Sequence, residues 1–253
     1  MPATLTIEDV APGVRSLTLS NPARRNALDG AFLDALELAL RTADPVRAWL
    51  VRSDDAGVFS SGYDLNALSG FPEGTPLPDT RLGLVLDLLE QHPAPSIAVV
   101  RGPAIGAGCE LAVACDFRVG DATARLSLPP AKLGVVYALA GLRRVARVVG
   151  PQVAKRLFLA ADSLDAAEAH RVGLLDASVV DAEVSALTWA LRLAGLAPLA
   201  VKGMKKGFSL LDEATAEQRA AYELIRRESF NSADAREGIE ALREKREPQF
   251  TGR

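Results

Sequence analysis

The segment Ser96–Asp116, SIAVVRGPAIGAGCELAVACD, limits this chain more than any other stretch. Five apolar or small residues (SIAVV) read as a buried strand. They run into a turn of small residues, RGPAIGAG, and then a helix carrying one acid, Glu110. A strand, a tight turn and a helix in this order bring bare backbone N–H groups and one carboxylate to one place. Such a place favours negative charge, including an oxyanion that develops during a reaction.

The rest of the chain narrows the class. Its 253 residues suit one large domain, or one with a small appendage, and are enough to bury a substantial core. A net charge of −3 and 5% aromatic residues give neither a basic footprint nor a stacking platform, so no nucleic-acid partner is expected. No apolar run has the length of a membrane span, and the first residues lack the pattern of a secretory leader. No membrane partner is expected, and a cytoplasmic location is. Cys109 and Cys115, if both lie on the Glu110 helix, are about 9 Å apart, beyond disulfide reach. Both read as reduced core residues.

Only two histidines occur, His92 and His170, and both read as solvated, one in a loop and one at a helix end. A Ser-His-Asp triad or a zinc centre needs more convergent ligands, so no metal site is expected. Nor is GPAIGAG (102–108) a dinucleotide fingerprint: Gly106 and Gly108 fit two positions, but Leu111 stands where the third glycine belongs.

Thr4–Glu8 and Val14–Ser20 alternate as strands, and Asp29 caps a helix with Phe32, Leu33, Leu36 and Leu40 on one face. Strands follow at Ala48–Arg52, Ser96–Val100, Phe117–Val119, Arg125–Leu128 and Ala177–Val180. Helices are expected at Arg81–Gln91, Leu139–Val149, Gln152–Ala160 and Asp165–Val172. Leu68–Thr80 reads as a long loop rich in Pro and Gly. The fold class is α/β. Residues 1–195 form the core and 196–253 a helical region with too little sheet of its own to cover, a candidate for reaching another subunit. Asp116 reads as a backbone anchor, Trp49 and Trp189 as core, and Lys202, Lys205 and Lys206 as a solvated face, with Lys205 also a candidate phosphate contact.

VFSSGYDL (58–65) lacks the spacing of a nucleophile elbow. Beside GAGCE it can supply a second backbone donor, since an oxyanion hole needs two donors from separate segments. Together with LSNPARRNALDG (19–30), AKLGVV (131–136), AAEAHRVGLLDASVV and the tail SADAREGIEALREKREPQFTGR, these motifs resemble the crotonase superfamily, the enoyl-CoA hydratase/isomerase family, in its order and over nearly the whole chain.

The resemblance implies a spiral of ββα units with a C-terminal helical trimerisation region, in a homotrimer or a hexamer built as a dimer of trimers. It implies an acyl-CoA thioester substrate, with coenzyme A entering as part of that substrate and no other cofactor. By motif position the oxyanion donors are the N–H groups of Tyr63 and Ala107, and Glu110 is the general acid/base. Arg24, Arg25, Ala27 and Leu28 fall beside coenzyme A, with Ser61, Gly62, Asp64, Leu65 and Gly106 lining the same bend.

Hydratases of the family use a second glutamate four residues before the glycine of the L-G motif. Here that glycine is Gly134, and the position holds Pro130. Tyr137, in LGVVYALAG, resembles a tyrosine of the methylmalonyl-CoA decarboxylase members, which keep one glutamate; those members tend to carry His where this chain has Tyr63. Tyr137 is therefore a second catalytic candidate, against the plainer reading of a core tyrosine with a local partner. The implied activity is of the enoyl-CoA hydratase/isomerase type. Decarboxylation of a malonyl-type CoA ester, an impaired acyl-CoA-binding member and a non-CoA binding module are the alternatives.

Overall fold

The computed structural model describes residues 4–42, 46–54, 57–64, 74–77, 79–211 and 214–253. Its plan is a repeated unit of one long strand, one short strand and one helix. The first hairpin pairs β1 (Thr4–Ala11) antiparallel to β2 (Val14–Ser20). After β2 come β3 (Ala27–Leu28) and α1 (Gly30–Arg41). The second unit is β4 (Ala48–Ser53), β5 (Gly62–Tyr63) and α2 (Thr80–Gln91). The third is β6 (Ser96–Val100), β7 (Pro103–Ile105) and α3 (Ala107–Ala114). Next are β8 (Phe117–Gly120), β9 (Arg125–Ser127), α4 (Pro130–Leu133) and α5 (Leu139–Leu159).

The first strands of the units and the two-residue β11 (Ala177–Ser178) form one sheet in the order β1-β2-β4-β6-β8-β11, parallel from β2 onward. The short strands form a second layer: β3 with β5, and β7 with β9 and β10 (Ser163–Asp165). A single bridge, Ser60 to Ala104, joins its two parts. Both layers thus follow chain order, as a spiral requires.

Side-chain pattern explains the layering. Every residue of β6 is buried, as expected of a parallel strand covered on both faces. One face packs against α1, α2 and α3 through Leu33, Leu36, Val85, Leu86, Leu89 and Leu111. The other face receives α7 (Ala182–Ala194), whose Ala182, Ala186, Ala190 and Ala194 recur at helical spacing against Val14, Leu50, Ile97 and Val99. Asp29 caps α1 by accepting from Phe32 N at 2.9 Å. α6 (Ala166–Arg171) is capped the same way by Asp165.

Three helices end the chain: α8 (Pro198–Phe208), α9 (Ala216–Phe230) and α10 (Ala233–Glu244). Asp116 Oδ2 accepts from Ser96 N at 2.8 Å and from Lys205 Nζ at 2.6 Å, so Lys205 ties α8 to the core instead of joining a solvated face. Arg47, just before β4, ties down the end of α7 and the C-terminal tail, donating to Ala194 O at 3.1 Å and Phe250 O at 3.0 Å. Among the described residues no single helix is long and apolar enough to cross a membrane.

Several local expectations are corrected. The turn RGPAIGAG contains a strand, β7, because its amides and carbonyls pair with Ser60 and with β9. β3, β5, β10 and α4 are too short to leave a periodic signature. Leu139–Leu159 is broken at Gly150 (φ 75°), matching the two expected helices. Cys115 lies just past α3, not on it; both cysteines are free and buried, and burial pushes their thiols up to about 12. His92 is half-buried: its Nδ1 accepts from Trp49 Nε1 and from Ala94 N, each at 3.1 Å, and burial lowers its pKa. Trp49 is in the core and Trp189 lies partly buried at its edge.

Candidate active site

The N-terminal motif and VFSSGYDL, far apart in sequence, are laced together by backbone. β3 and β5 pair in parallel, Ala27 with Gly62 and Leu28 with Tyr63. Ser61 N donates to Arg25 O at 2.9 Å, Ser60 Oγ to Asn26 O at 2.7 Å, and Asp64 N to Leu28 O at 3.0 Å. Arg25 and Asn26 take left-handed backbone, with φ of 52° and 55°, which turns the chain sharply into β3. The guanidinium of Arg24 pairs with the carboxylate of Asp64, and the Arg24 carbonyl accepts from Ser61 Oγ at 3.0 Å. Arg24, Arg25, Ala27, Leu28, Ser61, Gly62 and Asp64 therefore meet in one bend. Leu65 and most of the 68–80 loop lie outside the described residues.

The second half comes from β7 and α3. Ile105 N donates to Ser60 O at 2.9 Å, and Gly106 N to Ser127 O at 2.9 Å. Gly106 (φ 53°) precedes Ala107, the first residue of α3. An N–H in that position has no acceptor within the helix. Gly62 (φ 103°) brings the two halves into contact. A Cβ there would sit 2.7 Å from Ile105 O and 3.5 Å from Ala107 N, so only glycine lets β5 lie this close to the start of α3. The backbone of Gly62–Tyr63 and the amide of Ala107 are thus neighbours.

Glu110 occupies the first turn of α3 and is 4% exposed. Its Oε2 accepts from the Tyr137 hydroxyl at 2.5 Å, and its Oε1 pairs with Arg144 Nη1. Burial raises the Glu110 pKa above the ordinary carboxylate value. The Tyr137 hydrogen bond and Arg144 act against that rise. Burial and the adjacent Glu110 drive the Tyr137 pKa well up, so its hydroxyl stays protonated and donates. The Tyr137 ring packs on Phe158 with centroids 5.0 Å apart. Burial also raises the Tyr63 phenol.

Pro130 opens α4 and is buried; it presents no proton and no carboxylate. Arg144 is a residue the motifs did not indicate. It is 3% exposed at its side chain, on α5, and besides Glu110 it meets Asp87 Oδ1 at 2.6 Å and lies 3.1 Å from Glu90 Oε2, both on α2. Its signal was present: Gly141, Arg144 and Val145 share the buried face of α5, so Arg144 falls among core positions at helical spacing. Gly141 makes the approach possible, since a Cβ there would lie 2.5 Å from the Tyr137 ring and 2.8 Å from Glu110 Oε1.

A profile of the enoyl-CoA hydratase/isomerase family matches residues 9–253. The chain is 35% identical over 246 residues to the 2,3-dehydroadipyl-CoA hydratase of Escherichia coli strain K12, covering 94% of each chain. It is 32% identical over 254 residues to the mitochondrial enoyl-CoA hydratase domain-containing protein 2 of Mus musculus, covering 95% of this chain and 85% of that one. In structure it is similar to an enoyl-CoA hydratase from Bacillus anthracis, with a TM-score of 0.90 at 27% identity over 98% of this chain and 99% of that one. It also resembles DspI of Pseudomonas aeruginosa, with a TM-score of 0.88 at 29% identity, covering 98% and 96%. Sequence, fold and the spiral of paired strands agree that this chain belongs to the enoyl-CoA hydratase/isomerase family, the crotonase superfamily.

Proposed function

We propose that the protein binds an acyl-CoA thioester and carries out enoyl-CoA hydratase/isomerase chemistry through one carboxylate. The observation that carries this is the buried Glu110 carboxyl one turn from the Ala107 amide, which itself lies against Gly62–Tyr63. The thioester oxygen docks at the N–H groups of Tyr63 and Ala107, where an enolate oxygen gains most from fixed dipoles. In isomerisation Glu110 takes a proton from one substrate carbon and returns it at the other end of the dienolate. In hydration it takes a proton from water as the hydroxyl adds to Cβ and delivers that proton to Cα, and its raised pKa suits either exchange. Tyr137 steadies the carboxyl and lines the acyl pocket.

Arg24, Arg25, Ala27, Leu28, Ser61, Gly62, Asp64, Leu65 and Gly106 form the bend that receives coenzyme A, which arrives with the substrate; no further cofactor enters the scheme. Residues 1–195 act as the catalytic core. Residues 196–253 act as the assembly region of a homotrimer or hexamer, supported by exposed Phe208, Leu211, Leu224, Phe230, Ile239 and Leu242. A cytoplasmic location agrees with two unpaired buried cysteines.

Pro130 supports a second reading, decarboxylation of a malonyl-type CoA ester, because that reaction needs an enolate site and one proton donor but no second carboxylate for water. Incubation with crotonyl-CoA, a 3-enoyl-CoA and methylmalonyl-CoA, with products identified by mass, separates the two. A hydrated or double-bond-shifted product supports the first reading. Loss of carbon dioxide alone replaces it with the second. Turnover of none, with a coenzyme A-dependent rise in Tm, leaves a binding protein.

A further inference from the structure

Glu110 is held from both sides. Oε2 receives the Tyr137 hydroxyl and Oε1 the guanidinium of Arg144, while Arg144 is itself held by Asp87 and Glu90 from α2. The Arg144 side chain is almost fully enclosed, with Glu110 and Asp87 at its two Nη ends and the Glu90 carboxylate 3.1 Å from Nε. Such a guanidinium is always charged and geometrically rigid. It is also not available to bind a substrate anion.

We propose that Arg144 is a positioning residue that clamps Glu110 Oε1, so that proton transfer runs through Oε2, the oxygen beside Tyr137. This rests on the acyl-CoA reading above. In the step, Oε2 takes the substrate proton and becomes O–H, and the C–H bonding pair passes to the thioester as enolate. The reverse transfer forms a new C–H bond and restores the carboxylate. Tyr137 keeps its own proton throughout. Asp87 and Glu90 moderate the clamp by drawing part of the Arg144 charge away from Glu110.

The charged and titratable groups acting on Glu110 are Tyr137 and Arg144 from the α5 side, Asp79 just before α2, and Cys109 on its own helix, while Asp87 and Glu90 of α2 reach it through Arg144. Changing two of them makes opposed forecasts. Arg144→Met removes the attraction that favours the carboxylate, so Glu110 titrates at higher pH. Asp87→Asn removes a competing anion, so Glu110 titrates at lower pH.

The test is a carbon-13 titration of carboxyl-labelled protein, with the Glu110 signal assigned by its loss in Glu110→Gln. Isomerisation of a 3-enoyl-CoA to its 2-enoyl isomer is measured on the same proteins. The expected result is opposed shifts of the titration, with kcat of Arg144→Met down about 10²-fold, KM near its original value, and Arg144→Lys between the two. Shifts in the same direction, or no shift in either variant, overturn the clamp. If Arg144→Met does not fold, the half-exposed Asp87→Asn alone decides, and an unmoved or upward titration overturns it. Opposed shifts without turnover of any thioester support the clamp and overturn the reading of the reaction instead.

Discussion

At the scale of single residues, the site depends on a carboxyl whose ionisation is set by burial against two partners. Removing Tyr137 as a donor in Tyr137→Phe takes away a hydrogen bond that favours the carboxylate. The pH–rate inflection of Glu110 then moves upward, read from kcat/KM against pH. Glu110→Gln abolishes turnover and has a stability signature of its own. A folded-state pKa above the unfolded 4.5 means the folded protein gains from the protonated form below that value and loses the gain as pH rises through the raised pKa. The Tm of Glu110→Gln, compared with that of the parent, should therefore improve as pH is raised from below 4.5. A difference that stays flat with pH contradicts this.

At the scale of elements, close approach governs. Gly141→Ala pushes α5 off Tyr137 and Glu110, at a cost of about 1–3 kcal/mol, measured by denaturant unfolding, with activity lost alongside. Near the C-terminus, buried Asp234 on α10 accepts from Thr251 N at 2.7 Å and from Gly252 N at 2.8 Å. Asp234→Ala leaves those amides without acceptors and costs about 1–3 kcal/mol. Hydrogen exchange at Thr251 and Gly252 should accelerate. How well the elements could be read from sequence follows from their length. α1, α2 and β2 announce themselves by period and β6 by an unbroken apolar run, while β3 and β5 offer two residues each. Those two strands exist because Leu28 and Tyr63 meet across 35 positions, which no local pattern carries. Motif likeness placed the Glu110, Tyr63 and Ala107 segments. It passed over Arg144, which lies just beyond LGVVYALAG and in none of the motifs that carry the likeness. His92 and Lys205 were misread because a partner distant in the chain decides whether a polar side chain is solvated.

For the whole molecule, the sheet order β1-β2-β4-β6-β8-β11 repeats the order of synthesis. With a chain mass of 26.7 kDa, light scattering on the eluting protein should give about three or six times that value, and a monomer mass would reject the assembly role proposed for α8–α10. The strand order has a further consequence for the growing polypeptide. Each parallel strand after the first hairpin adds to an edge that is already in place, so the sheet can lengthen one unit at a time as the chain leaves the ribosome. α8 and the final residues, tied back through Asp116 and Arg47, can dock only after that scaffold is laid down.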